Sequence, residues 1–275
     1  MSNVEQSELG SVLSLWRYPV KSMMGEELNA TEVTERGLLG DRTFALVDSS
    51  DGKVATAKNP RKWPHLFGFR ATFIESPHAA LKAPPVRITL PDGTTVTSDQ
   101  GDLNQALSRA LSREVTFRAS QSGLVTAEEY WPDMEGLDHR DMVTDFTLPE
   151  ETFFDCAMVH LLTTATLDRL QELYPQGRFE VRRFRPNVVV QLASGETGFA
   201  ENDWVGHTLA IGTEVRLNIT GPCGRCVMTT LAQGDLSRDP GILRTAALHN
   251  QVNVGVYAGV EWSGTIRRGD PISLE

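Results

Sequence analysis

The sequence predicts a mainly β chain of α+β type, built as barrels with two or three helices. Three observations carry this. Short β-rich runs recur along the whole chain, Asp-Gly pairs punctuate them, and helical spacing surfaces clearly in only two stretches. So many short strands leave many unpaired edges, and a partly closed barrel is the natural way to manage them.

The elements follow in order. "SVLSLWRYPVKSMMG" reads as a strand that runs into Pro19 and then turns at Lys21, Ser22 and Gly25. "ERGLLGDRTF" is glycine-punctuated and carries Asp41-Arg42. "TFALVDSSDGKVATA" predicts a hairpin, with Phe44 to Val47 as one strand, Asp51-Gly52 as the turn and Val54 to Thr56 as the return. "FGFRATFIE", "VRITLPDGTTVT" and "REVTFRAS" are further short strands, with Asp92-Gly93 as a second tight turn. "DLNQALSRALS", residues 102 to 112, has helical spacing and Asp102 as its cap.

Residues 121–150 are acidic, poor in periodicity and contain Pro132 and Pro149, so they predict an irregular connection that covers a cleft between two units. Beyond it, "TATLDRLQELYP" predicts an amphipathic helix with Leu167, Leu170 and Leu173 on one side, a threonine cap and a stop at Pro175. "NVVVQL" reads as a buried strand, "TLAIGTEVRLNIT" as a strand pair around Gly212, and the last 25 residues as alternating strand and turn. No fixed-period repeat interrupts the series.

Composition bounds the function. The 275 residues are 40% hydrophobic and 23% charged, enough for one large or two modest domains. No run approaches the ~18 apolar residues of a membrane span, and "MSNVEQSELG" lacks the basic and apolar regions of a secretory signal, so the expected location is cytoplasmic with no membrane partner. A net charge of −10 disfavours nucleic acid. Against that field stands "GRFEVRRFRPN", whose Arg178, Arg182, Arg183 and Arg185 suit one small anion such as a phosphorylated molecule. Arg185-Pro186-Asn187 meets the strand "VVV" at a barrel rim, and the plain alternative there is a solvated basic turn.

Three cysteines, Cys156, Cys223 and Cys226, are too few and odd in number for a disulfide framework. "GPCGRCVMTT" allows several readings. A zinc site lacks a second ligand pair. A dithiol centre needs a helix after the motif, whereas "VMTTL" reads as strand. A single sulfur activated by Arg225 remains, against the plain reading of a small buried hydrophobe. Lys21-Ser22, Asp41-Arg42, His160 and Tyr257 each have an ordinary reading too: surface, local ion pair, core histidine and core aromatic.

Taken together, "YPVKS", "ERGLLGDR", "RFRPNVVV", "GPCGRCVMTT", "VGVYAGV" and "GTIRRGDPISL" occur in an order that resembles the MOSC family with its N-terminal β-barrel domain. The resemblance runs from about residue 10 to the end. It implies an N-terminal barrel domain over 10–120, a connecting segment over 121–150 and a MOSC domain over 151–275. It also implies a molybdenum cofactor, a molybdopterin with one phosphate, whose metal takes Cys226 as thiolate ligand. By the same resemblance Lys21, Ser22, Arg42, Arg185 and Asn187 meet the pterin and its phosphate, Gly224 and Arg225 sit beside the metal, and Tyr257 lines the pocket. Asp155, Cys156 and Ala157 fall where similar proteins approach the cofactor, although Cys156 departs from the small or hydroxyl residues expected there.

The implied activity is reduction of N-hydroxylated compounds to amines or amidines. No four-cysteine cluster pattern is present, so the expected electron source is a separate ferredoxin, flavoprotein or cytochrome-type donor. The alternative is a sulfur-carrier or molybdenum cofactor carrier that uses Cys226 as persulfide or thiolate.

Overall fold

The computed structural model describes residues 8–79, 81–120, 123–135, 139–193, 195 and 197–275. The first strand, β1 (Glu8–Arg17), turns Val12 and Leu15 inward and Leu13 outward. Its alternation breaks where a register shift falls between Val12 and Ser14, so a bulge re-aims the side chains. Then come β2 (Glu26–Leu28), β3 (Ala30–Thr34), β4 (Gly37–Leu38) and β5 (Phe44–Asp48), the last buried throughout.

The remainder of the N-terminal half comprises β6 (Arg70–Phe73), β7 (Val86–Thr89), β8 (Thr95–Thr97), α1 (Leu103–Leu111) and β9 (Val115–Ala119). Two further strands, β10 (Thr126–Trp131) and β11 (Met142–Thr147), lie in the stretch expected to be irregular. They pair antiparallel from Thr126↔Thr147 to Trp131↔Met142. The acidic side chains that read as a solvated loop are held instead: Lys53 Nζ reaches Glu128 at 3.0 Å and Asp145 at 2.7 Å, across the pair. The expected return strand at Val54 to Thr56 is reduced to isolated bridges from Val54 to Val47 and Ala127, because β5 takes β9 as its partner. Asp102 precedes α1 as expected but makes no side-chain cap bond.

The C-terminal half runs β12 (Val159–Thr163), α2 (Thr164–Leu173), α3 (Val181–Phe184), β13 (Val188–Leu192), β14 (Thr208–Ile211) and β15 (Val215–Gly224). It continues with α4 (Gly241–Asn250), β16 (Asn253–Trp262), β17 (Gly264–Arg267) and β18 (Pro271–Leu274). The Thr163 hydroxyl accepts from the Thr166 N–H at 3.1 Å and so caps α2, as the sequence predicts.

Seven strands close a barrel in the order β13, β12, β16, β15, β14, β18, β1, with β1 pairing back onto β13. Full closure removes the exposed edges. The interior is aliphatic, with Val12, Leu161, Val188, Leu217, Val256 and Ile272 all essentially inaccessible. The barrel therefore borrows its seventh strand from the N-terminal stretch, and β3 also pairs with β17.

The other large core, around Val20, Leu46, Phe69, Ile88 and Leu107, fills the N-terminal half. Met228 and the half-buried Cys226 pack against it from the C-terminal half. That contact brings the cysteine turn against the first half of the chain.

Candidate functional site

A cavity enclosing about 610 Å³ of space open to solvent lies where the two halves meet. Lys21, Ser22, Arg42, Asp155, Cys156, Ala157, Arg185, Asn187, Arg225 and Tyr257, ten of the residues singled out in the sequence, line it. Cys226 is half-buried, packs against the N-terminal core and is not itself among the wall residues, although Arg225 before it and Met228 after it are. Gly224 is not part of the wall; it is exposed at the end of β15 and pairs with Asn253.

Three of these residues are held in the left-handed backbone region: Ser22 at φ 63°, Arg42 at φ 49° and Arg185 at φ 55°. That conformation costs a residue with a Cβ about 1–2 kcal/mol, so local strain is tolerated where these side chains must be aimed. At Arg185 the cause is visible. It ends α3, and its N–H bonds back to the Val181 carbonyl at 3.2 Å.

The cations are brought together by Tyr18 and Asp41. The guanidinium carbons of Arg185 and Arg42 lie 4.1 and 5.2 Å from the centre of the Tyr18 ring, within cation–π range. Asp41, buried beneath them, pairs with Arg42. It also accepts from the Tyr18 N–H at 2.7 Å and from Asn187 Nδ2 at 2.9 Å. The Asp41-Arg42 pair, an ordinary surface contact by its sequence, is thus an anchor of the site.

Asn187 is fully engaged within the protein, because its Oδ1 also accepts from the His160 N–H at 3.1 Å. Arg185 is different. Its Nη1 donates to the Met23 carbonyl at 2.7 Å, while its Nη2 is buried with no partner among the described residues. Burial pulls this guanidinium down to about 10.

Lys21 Nζ donates to the Phe153 carbonyl at 2.8 Å and meets Asp155 at 2.5 Å. Burial lowers the Lys21 pKa. Burial also opposes ionisation of Asp155, but Lys21 and Lys58 outweigh it and hold the carboxyl below the usual range. Lys58, absent from the sequence expectations, lines the same cavity and sits between Glu129 at 3.3 Å and Asp155 at 3.8 Å.

The arginine cluster separates into different roles, which corrects the expectation of four anion-binding side chains. Arg178 and Arg182 both pair with Glu180 and Asp235 on the surface. Arg183 is buried and donates to the carbonyls of Arg178, Thr229, Leu231 and Ser237 at 2.8 to 3.2 Å, which pins the segment after Cys226. Only Arg185 of the four reaches the cavity.

The expected strand after Cys226 is a single 3-10 turn, Val227–Thr230. The hydroxyls of Thr229 and Thr230 donate back to the carbonyls of Cys226 and Val227 at 3.0 and 2.7 Å, which favours the turn over a ladder.

The two cysteines of the motif differ electrostatically. Cys223 is buried, and burial opposes its ionisation. Arg225 Nη1, 2.7 Å from the sulfur, and His160 overcome that and lower the pKa. Burial pushes the Cys226 thiol up to about 12, with Lys58 and the Met228 N–H acting weakly the other way. Cys223 is therefore committed to Arg225, while Cys226 carries a neutral thiol that a metal ion would deprotonate.

Tyr18, Lys58, Phe154 and His160 complete the site beyond the residues expected for it. Tyr18 had a signal in its place at the head of "YPVKS"; Lys58 in "TAKNP" had none.

Comparison with known proteins agrees with this architecture. Residues 9–131 match the family described as MOSC N-terminal beta barrel domain, and residues 149–273 match the MOSC domain. The chain is 28% identical to mitochondrial amidoxime reducing component 2 of Rattus norvegicus, over 96% of this chain and 83% of that protein. It is 29% identical to mitochondrial amidoxime-reducing component 1 of Mus musculus, over 97% and 83%. Similarity to the molybdenum cofactor sulfurase of Oryza sativa subsp. japonica is 26% over 88% of this chain but 31% of that longer protein. The chain belongs to the MOSC family, with an N-terminal β-barrel domain ahead of its MOSC domain.

Proposed function

We propose that the chain binds a phosphorylated molybdenum cofactor in the cation-lined cavity and reduces N-hydroxylated compounds with electrons from a separate donor protein. One observation carries the reading. Lys21, Arg42, Lys58, Arg185 and Arg225 converge on a wall whose one carboxylate is Asp155, and the buried Nη2 of Arg185 has no partner among the described residues. Asp41, Asp155 and Glu129 offset Arg42, Lys21 and Lys58, and Cys223 engages Arg225, so the buried charge left short of a partner is that of Arg185, which is costly unless an anion meets it. The donor set therefore fits a phosphorylated ligand.

Arg185 and Arg42 would hold the phosphate, Lys21 and Ser22 would fix its neighbouring edge, and Cys226 would give the metal its protein thiolate. Arg225 would steady the ligand turn from beside Cys223. When bound, the cofactor supplies the redox chemistry, in which the substrate N–O bond takes two electrons and two protons to give amine or amidine and water. The relatives named as amidoxime-reducing components support this substrate class.

The test is metal analysis of protein purified from a host that makes the cofactor. Stoichiometric molybdenum with turnover of an amidoxime is the expected result; intact fold with no molybdenum at any occupancy overturns the reading.

The match to the cofactor sulfurase favours a second reading, in which Cys226 bears sulfur for transfer to a metal centre. A persulfide on Cys226 in metal-free, catalytically silent protein, found by mass spectrometry, would establish that alternative.

A further inference from the structure

A second cleft, enclosing about 1130 Å³ of space open to solvent, shares the Val227–Thr230 turn with the cavity. Met228 of that turn faces the cation-lined cavity, whereas Val227 and Thr230 line the cleft. Cys226 directly precedes Val227 in the chain, so the cleft wall and the candidate metal ligand are carried by one short segment.

The cleft walls are apolar and stiff. Pro60, Pro64 and Pro132 from the first half face Pro240 and Leu231 from the second. Proline rings and a buried turn present preformed apolar surface, which suits a flat ring system that loses little freedom on binding.

Two cations border this surface, and they are not equivalent. Arg61 lies 3.9 Å from the centre of the Tyr130 ring and is neutralised by Asp141 at 2.5 Å. Arg238 has no hydrogen bond, ion pair or ring contact with any described residue, and it is exposed on the cleft. On a chain of net charge −10, anions are repelled in general, so one unneutralised guanidinium beside an apolar slot discriminates locally.

We infer that this cleft is the specificity site for the body of the substrate and that it selects flat, aromatic N-hydroxylated compounds bearing a carboxylate, with Arg238 as the carboxylate partner. The inference rests on the proposed reductase reading and names its substrate class. Arg238 is a specificity residue and takes no part in the redox step.

The test compares 4-carboxybenzamidoxime with uncharged benzamidoxime. Binding of each to the metal-free protein is followed by NMR, and turnover of each by the molybdenum-loaded protein is measured in parallel. The carboxylate compound binds about tenfold more tightly and shifts resonances of the cleft. Arg238→Ala abolishes that preference and Arg238→Lys restores part of it. Ala232→Trp, a substitution at an exposed wall position, blocks both compounds.

Equal affinity for the two compounds, or a preference that survives Arg238→Ala, overturns the inference. Selective, Arg238-dependent binding without turnover of either compound keeps the cleft and overturns the reductase reading. Turnover of both compounds without discrimination does the reverse.

Discussion

Arg185 offers the sharpest separation between a residue kept for binding and one kept for stability. Arg185→Met retains most of the apolar stem and removes the charge. In the free protein the buried guanidinium is pulled down to about 10 from its ordinary value above ~12, and at about 1.4 kcal/mol per tenfold in proton affinity the charged form carries ~3 kcal/mol of unfavourable free energy. Against that relief, methionine loses the stacking on Tyr18, worth ~1 kcal/mol, and the bond to the Met23 carbonyl, worth ~2 kcal/mol. The two sides cancel to within about 1 kcal/mol, which corresponds to a Tm change of no more than ~4 °C.

Anion binding has no such compensation. Loss of a charge-assisted pair costs ~1.5–3 kcal/mol, so inorganic phosphate should bind ~10–100-fold more weakly, as measured by calorimetry on metal-free protein. A drop of more than ~3 kcal/mol in stability with phosphate affinity intact would refute the reasoning and make Arg185 a structural strut.

Cys226→Ala should abolish turnover in activity assays of the molybdenum-loaded protein, while Cys223→Ala should retain much of it, because there Arg225 loses its partner rather than the metal its ligand; equal loss of turnover in both variants would favour a dithiol function. Asp41→Ala should destabilise the fold by ~3–5 kcal/mol, seen as a lowered denaturation midpoint, since it strands Arg42 and leaves the Tyr18 N–H unpaired. Glu201 is buried, accepts from the Thr163 and Thr166 hydroxyls at 2.6 and 2.7 Å, and has its pKa raised by burial. Folding therefore takes up a proton between the unfolded carboxyl value, about 4.3, and the raised folded value; the stability this contributes is full below the unfolded value and lost as pH rises through the folded one. Glu201→Gln should gain on the parent protein in thermal melts as pH rises from 4 to 8, at up to ~1.4 kcal/mol per pH unit; a gap that does not change with pH would contradict this.

The features legible in the amino-acid order are local ones. Alternation and turn chemistry specify short strands such as Val188–Leu192, and the Thr163 hydroxyl marks the start of α2, because those signals act over a few residues. Ordered motifs also named ten residues of the cavity wall, which the fold brings together from both halves of the chain.

Tertiary structure decided the rest. Only closure shows that β1 belongs to the C-terminal barrel, because strand pairing over some 175 residues of separation leaves no local trace. The hairpin of β10 and β11 was hidden because its carboxylates look solvated until Lys53 and Lys58 arrive from another segment. Arg178, Arg182, Arg183 and Arg185 are alike in sequence, and only packing separates two surface ion pairs, one clamp on the cysteine turn and one guanidinium aimed into the cavity. The same holds for Cys223 and Cys226: burial and the Arg225 guanidinium, not spacing, set which sulfur is engaged by a cation and which stays a neutral thiol.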